Sequence, residues 1–311
     1  MSKVLTVFGA TGNQGGSVIK HILAHPKLSS IYTIRAITRD ASKPAAQYLK
    51  TRGCEIFEAD LDDPKSVRKA IRGSSAVFGV TDFWAKLSYD DEVTQGKSIA
   101  DSAKDAGVDH LIWSSLVYVS KATDGVITSV KHFDSKAVVE EYIRSLNIPA
   151  SFYMPGMFLS SLYSMFRPGP DGVYALNLPF PTTTKIPTIA SDVDSGAFIA
   201  AMLLEGPTGE RVAASTELEF AEAAKQYEAG TGRKAVANEL SAELFASYLP
   251  ESVREELSGN MKLIRPDVGG YYVGEPVDAI AKGNQLLEKH GLGPLISFEQ
   301  YAKNTAAKEA Q

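Results

Sequence analysis

Several absences bound what this chain can be. One cysteine, Cys54, stands among 311 residues, which excludes an internal disulfide framework and suits a reducing compartment. It precedes a predicted strand, where a half-buried, inert thiol is expected. No apolar run reaches the roughly 18 residues needed to cross a bilayer. Lys and Arg number 32 against 37 Asp and Glu, a net charge of −5, with no basic run, so direct nucleic-acid binding is not expected. His21, His25, His110, His132 and His290 are scattered without ligand spacing, and no metal site is expected. His21 and His25 share a helix face beside Pro26 and read as solvated. Internal repeats are absent, and the polar tail 303–311 is the one biased segment. Met1-Ser2-Lys3 runs straight into a strand, which leaves no room for a signal peptide. The expectation is a cytoplasmic protein, the nucleus being the other compartment open to it.

What is present is an ordinary well-cored composition, 44% hydrophobic and 22% charged, organised around residues 4–19. Val4-Leu5-Thr6-Val7-Phe8 is an apolar run of strand length. Glycines then fall at 9, 12 and 15, and Val18, Ile19, Ile22 and Leu23 repeat at helical spacing. In such a turn one glycine permits the tight bend and a second admits a pyrophosphate close to the backbone. A third lets helix and strand touch. The amides at the helix start, with the positive end of its dipole, face the phosphates.

The strand-helix rhythm continues. A second strand, 32–37, ends at Thr38-Arg39-Asp40, where a nucleotide's adenosine ribose is met. An acid there would favour NAD. The first charge past the strand is instead Arg39, with Lys43 four residues on, and two cations suit a 2′-phosphate, hence NADP(H). A helix from 44 to 52 and a strand 55–58 follow. Asp60 falls at that strand's carboxyl end, where adenine would lie, and Asp62 or Asp63 with Pro64 reads as a helix cap. Further strands are predicted at 76–80, 110–114 and 150–156. A helix at 89–106 turns Val93, Ile99, Ala100 and Ala103 inward and is closed by Gly107. Another carries Lys131 to Ile143. This is a doubly wound parallel α/β sheet. Beyond Phe158 the rhythm changes. Two short strands are expected between 174 and 187, and a helix through Leu204 capped by Ser191 or Asp192. A return to the sheet is expected at 210–214, then short helices at 221–230, 242–248, 277–290 and 298–306. The division is a dinucleotide-binding domain over 1–156 and a smaller, mostly helical, ligand- or partner-facing region over 157–311.

The glycine turn Gly9-Ala10-Thr11-Gly12-Asn13-Gln14-Gly15, the Thr38-Arg39 strand end, Thr81-Asp82-Phe83-Trp84 and His132-Phe133-Asp134-Ser135-Lys136 together resemble the NmrA-like family. That family belongs to the atypical short-chain dehydrogenase/reductase superfamily. The resemblance implies a Rossmann fold binding NADP(H), with a small C-terminal region over the cleft. It also implies a redox sensor that partners transcription factors or other regulatory proteins and turns over little or no substrate. It places Gly9, Ala10, Thr11, Gly12, Asn13 and Gln14 on the pyrophosphate. Thr38, Arg39 and Lys43 take the 2′-phosphate side, and Asp60 and Leu61 the adenine. Thr81, Asp82 and Phe83 lie by the inner ribose, and Lys136 by the nicotinamide ribose. Pro155 and Met157 close the nicotinamide pocket, although Met157-Phe158-Leu159-Ser160 departs from the aromatic and Asn often found there.

Reductases of the wider superfamily carry Tyr-x-x-x-Lys on one helix face, where the ammonium lowers the tyrosine pKa. Here the spacing reads His132-x-x-x-Lys136, and the phenol is missing. Three readings stay open: His132 is a surface or cap residue and the protein binds NADP(H) without turnover; Lys136 is itself the acid/base of an NADPH-dependent reductase of a small aromatic or natural-product substrate; or His132 replaces the tyrosine. Nothing in the sequence separates a monomer from a homodimer.

Overall fold

The computed structural model describes residues 2–310. Met1 and Gln311, which begin the N-terminal lead and end the polar tail, lie outside the described residues. The first half builds strand and helix in alternation. It runs β1 (Lys3–Val7), α1 (Asn13–Ala24), α2 (Pro26–Ile31), β2 (Tyr32–Thr38), α3 (Pro44–Thr51), β3 (Glu55–Glu58), α4 (Pro64–Ile71) and β4 (Ala76–Gly79). Then come α5 (Tyr89–Ala106), β5 (His110–Ser114), α6 (Val119–Ala122), α7 (Lys131–Ser145) and β6 (Ala150–Pro155). Local chemistry sets the ends. Asp63 accepts the Lys65 N–H ahead of Pro64 at the start of α4. Ser88 caps α5, and Gly107, left-handed at φ 63°, closes it.

The second half continues with β7 (Met157–Phe158), α8 (Leu159–Met165), β8 (Arg167–Pro168), β9 (Tyr174–Leu178), β10 (Lys185–Ile189) and α9 (Ser195–Glu205). It ends with β11 (Arg211–Ala214), β12 (Thr216–Glu219), α10 (Phe220–Thr231), β13 (Ala235–Glu239), α11 (Ala242–Ser247), α12 (Glu251–Ile264), α13 (Ala279–Lys289) and α14 (Phe298–Glu309). The two expected strands after 174 do not pair with each other. β9 joins β13 and β8, whereas β10 joins β12 and β7. The helix expected behind Ser191 or Asp192 starts later, at Ser195, because residues 190–194 first close a turn on the Ala190 carbonyl. Most of the tail expected to be merely polar is the last part of α14. It is pinned where Glu309 meets Tyr163 Oη at 3.0 Å and Arg233 at 3.1 Å.

The main sheet has seven strands in the order β11-β6-β5-β4-β1-β2-β3, all parallel. Alternate residues feed opposite faces, as a pleated strand requires. Leu5 and Val7 join the core formed with α1 and α9, and Phe8 and Val77 the core with α4, α5 and α7. Gly196 lets α9 lie on α1, since a Cβ there would come within 2.2 Å of the Ser17 carbonyl oxygen. His21 is therefore half-buried rather than solvated, its Nδ1 3.1 Å from the Ser17 carbonyl, and burial lowers its pKa. His25 caps α2 by accepting the Leu28 N–H. Cys54 is buried, and burial pushes its thiol pKa up. A third core, including Phe133, Met157, Phe180, Phe220 and Tyr271, joins the C-terminal elements to the carboxyl side of the sheet. Strand order reverses between β1 and β4. Ligands of open α/β sheets bind at such a point.

Candidate nucleotide crevice

The crevice at the reversal is built first by backbone. Gly9 sits at φ 62°, and a Cβ there would approach Val80 to 2.9 Å. A Cβ on Gly15 would lie 2.3 Å from the Gly9 carbonyl oxygen, so this position tolerates only glycine if α1 is to touch β1. The Gly12 N–H closes the turn on Gly9 O at 2.9 Å. Gly12 is the N-cap of α1, and no side chain caps the helix. The first-turn amides, which have no partner within a helix, are thus left for an anion. Thr11 and Asn13 are exposed at the rim. Gln14 turns inward and accepts Ser114 Oγ at 2.8 Å, tying the turn to the end of β5.

The predicted cations lie one strand over. β2 neighbours β1 in parallel, so the residues past Thr38 flank the glycine turn, and Arg39 and Lys43 are exposed there. Thr38 Oγ1 is occupied locally, 3.2 Å from the Asp40 backbone. Asp60 accepts the Asp62 N–H at 3.0 Å and so shapes its own loop. Leu61 packs partly buried against the core. Hydrogen bonds from Lys86 and Gln95 hold Asp62 below the usual carboxylate range, with the Arg39 charge assisting. Asp63, not Asp62, is the helix cap.

At the end of β4 the structure adds a residue that spacing does not expose. Lys136 turns its ammonium to Glu92 Oε1 (2.7 Å), Thr81 Oγ1 (3.0 Å) and Thr81 O (3.1 Å). Thr81 Oγ1 also donates to Glu92 at 2.7 Å, and Ser135 donates to the other carboxylate oxygen. The inner face of α5 therefore carries Glu92, while Val93, expected there, is only half-buried. Burial alone would push the Glu92 carboxyl up. The Lys136 charge and the hydrogen bonds from Lys136, Ser135 and Thr81 outweigh it and hold the group below its ordinary range. Trp113 Nε1 donates to the Lys136 carbonyl at 3.0 Å and fixes α7 against the sheet. Lys136 is the one lysine or arginine buried among the described residues.

His132 is neither a surface residue nor a cap. Its ring is buried between Phe83, Trp84 and Phe133, at 5.8, 4.9 and 4.8 Å. Its Nδ1 meets Glu256 of α12, which also accepts the Lys131 and His132 N–H groups at 3.0 Å. The C-terminal region thus covers the start of α7, and that cover was not readable locally. Asp82 is exposed and accepts the Trp84 N–H, while Phe83 is buried. Pro155 and Met157 are buried at the end of β6. The Pro155 and Met154 carbonyls accept Tyr271 Oη (3.4 Å) and Tyr272 Oη (3.1 Å). Among the described residues no three acidic, histidine or cysteine side chains gather as a metal site, and no helix is long and apolar enough to cross a membrane.

The arrangement of glycine turn, strand reversal and buried lysine agrees with the sequence comparison. The sequence model of the NmrA-like family matches residues 1–285. The chain belongs to the NmrA-like family. It is 30% identical over 272 residues to the NmrA-like family domain-containing oxidoreductase cpsB of Aspergillus campestris, covering 80% of this chain and 79% of that protein. In fold it is similar to NmrA, a negative transcriptional regulator solved with NADP and separately with NAD. The TM-score to either is 0.83 at 22% identity, over 99% of this chain and 96% of that one. It is also similar to the Citrobacter sp. triphenylmethane reductase complexed with NADP(H), with a TM-score of 0.71 at 21% identity, over 98% and 100% of the two chains.

Proposed function

We propose that this NmrA-like protein is an NADP(H)-dependent oxidoreductase acting on a small organic substrate, with Lys136 as its essential cation. The observation that carries the reading is the one buried lysine or arginine among the described residues, held at Thr81 past β4, the strand next to the one whose glycine turn opens an uncapped helix. The oxidoreductase name of the curated relative cpsB and the NADP(H) of the triphenylmethane reductase support it. The cradle suits a dinucleotide because its helix start has no side-chain cap and glycines at 9 and 15 let the turn and α1 lie close on β1. Gly9 to Gln14 would hold the pyrophosphate, and Arg39 with Lys43 the 2′-phosphate, so NADP(H) is favoured over NAD(H). A nicotinamide bound there supplies hydride. Lys136 holds positive charge where a reduced substrate oxygen or nitrogen would develop negative charge.

A second reading has its own support. All three Lys136 N–H groups are taken up by Glu92 and Thr81, and no phenol stands at position 132. This favours binding without turnover, in which cofactor occupancy is passed to a protein partner. Incubation with NADPH and a panel of carbonyl, enone and imine acceptors separates the two. The first reading expects turnover that falls about a hundredfold in Lys136→Ala. Saturable NADP+ binding with no turnover across the panel would overturn it in favour of the second.

A further inference from the structure

We infer that Glu92 is a positioning residue of this crevice: its carboxylate fixes the Lys136 ammonium against Thr81 at the carboxyl end of β4. The inference deepens the reading of Lys136 above and rests on it for its functional meaning. Its geometric content stands alone.

Three observations carry it. First, the Glu92 side chain is 1% exposed, and both of its oxygens are engaged by named donors on two other elements, Thr81 past β4 and Ser135 and Lys136 on α7. A carboxylate enclosed this way has no water to satisfy it if Lys136 leaves. Second, the approach of α5 to α7 is built for it. A Cβ at Gly96, one turn along from Glu92, would lie 2.5 Å from Val139, so a side chain there would part the helices and with them the pair. Third, Glu92 lies in the first turns of α5, where the helix dipole favours a carboxylate.

Among the described residues the neighbouring charges are engaged elsewhere, the buried Asp134 of α7 by the Ser120 N–H at 3.1 Å. On α7, Glu140 is taken by Arg144 and Arg211, and His132 by Glu256. On α5, Asp91 lies near Lys86, Asp101 accepts Tyr142, Lys97 lies over the Tyr142 ring and Asp105 pairs with Arg68 of α4. Asp82, past β4, is exposed and caps the Trp84 N–H. Removing the Glu92 charge therefore leaves a buried ammonium without a counter-ion. Such a group loses its proton at lower pH.

The test uses the full chain and needs no cofactor. Acylation of Lys136 by an amine-selective reagent is followed against pH by mass spectrometry, in the wild type and in Glu92→Gln. The expected result is that the pH at which Lys136 becomes reactive falls by about one unit or more in Glu92→Gln, a tenfold change in its ratio of neutral to charged amine. A merely space-filling role would not move it. A folded Glu92→Gln with an unchanged profile would overturn the inference. Should Glu92→Gln fail to fold, the double variant Glu92→Gln/Lys136→Met is expected to fold again, because the uncompensated charge is gone. Failure to recover would also count against the pair. NADP+ titration of the same samples keeps the two claims apart: a shifted Lys136 profile without NADP+ binding upholds the pairing while removing the function proposed above.

Discussion

Asp194 shows how far single side chains depart from what a sequence displays. It precedes α9, is 6% exposed, accepts only a long 3.4 Å bond from the Ile296 N–H on one oxygen, and has no hydrogen-bond partner on the other among the described residues. Burial pushes its carboxyl up to about 7, with the Asp192 charge adding to it, against backbone hydrogen bonds that lower it. The folded state therefore holds this proton over a range where the unfolded chain has released it. The contribution of this group to stability falls as pH rises from about 4 to about 7 and is level above that, a loss on the order of 4 kcal/mol. Asp194→Asn is expected to raise the melting temperature at about pH 8 and to change it little at about pH 4. A shift equal at both pH values would show that charge is not the cause. At this scale the glycines and Lys136 were legible because their spacing is local. Glu92 was not, since its partner lies 44 residues away, and an acid in the first turn of a helix reads as an ordinary solvated one. Thr38 Oγ1 and one carboxylate oxygen of Asp60, both at strand ends, are engaged by their own loops.

Elements tell a similar story. The bounds of α5 and β5 follow directly from Ser88, Gly107 and the apolar run 110–114, because capping and burial act within a few residues. The C-terminal half resisted such reading. α12 has no side-chain cap of its own and buries Met261, Leu263 and Ile264 only near its end, so its apolar pattern is short. Its function in the fold is visible only in space. Glu256 accepts two backbone N–H groups from the start of α7, whose N-cap residue, Val130, makes no side-chain capping hydrogen bond. It supplies from a distant helix what a local Ser or Asp would normally give. Glu256→Ala is expected to cost about 1–2 kcal/mol, read as a lower urea midpoint with an unchanged slope. An unchanged midpoint would show that water replaces the cap at no cost. The same contact explains why His132 is buried although it occupies the first turn of a helix.

For the whole molecule, a run of strand, glycine turn and helix near the start, repeated strand-helix alternation and a helical second half were enough to place the chain among doubly wound folds. The return of β11 beside β6 was also readable, from an apolar run too short to stand alone. The core that packs the C-terminal elements together was not readable, because it draws single residues from many distant segments. The fold puts one uncapped helix start, one exposed arginine and one enclosed ammonium along a single edge of the sheet, and the account turns on whether that edge holds a dinucleotide. Calorimetric titration of the wild type and Arg39→Ala with NADP+ and NAD+ tests this most directly. The account predicts saturable one-to-one binding that is tighter for NADP+. In Arg39→Ala, NADP+ affinity should fall about tenfold to a hundredfold with NAD+ little changed, the worth of one charge-assisted hydrogen bond. Absence of binding by either nucleotide to the wild type would contradict it.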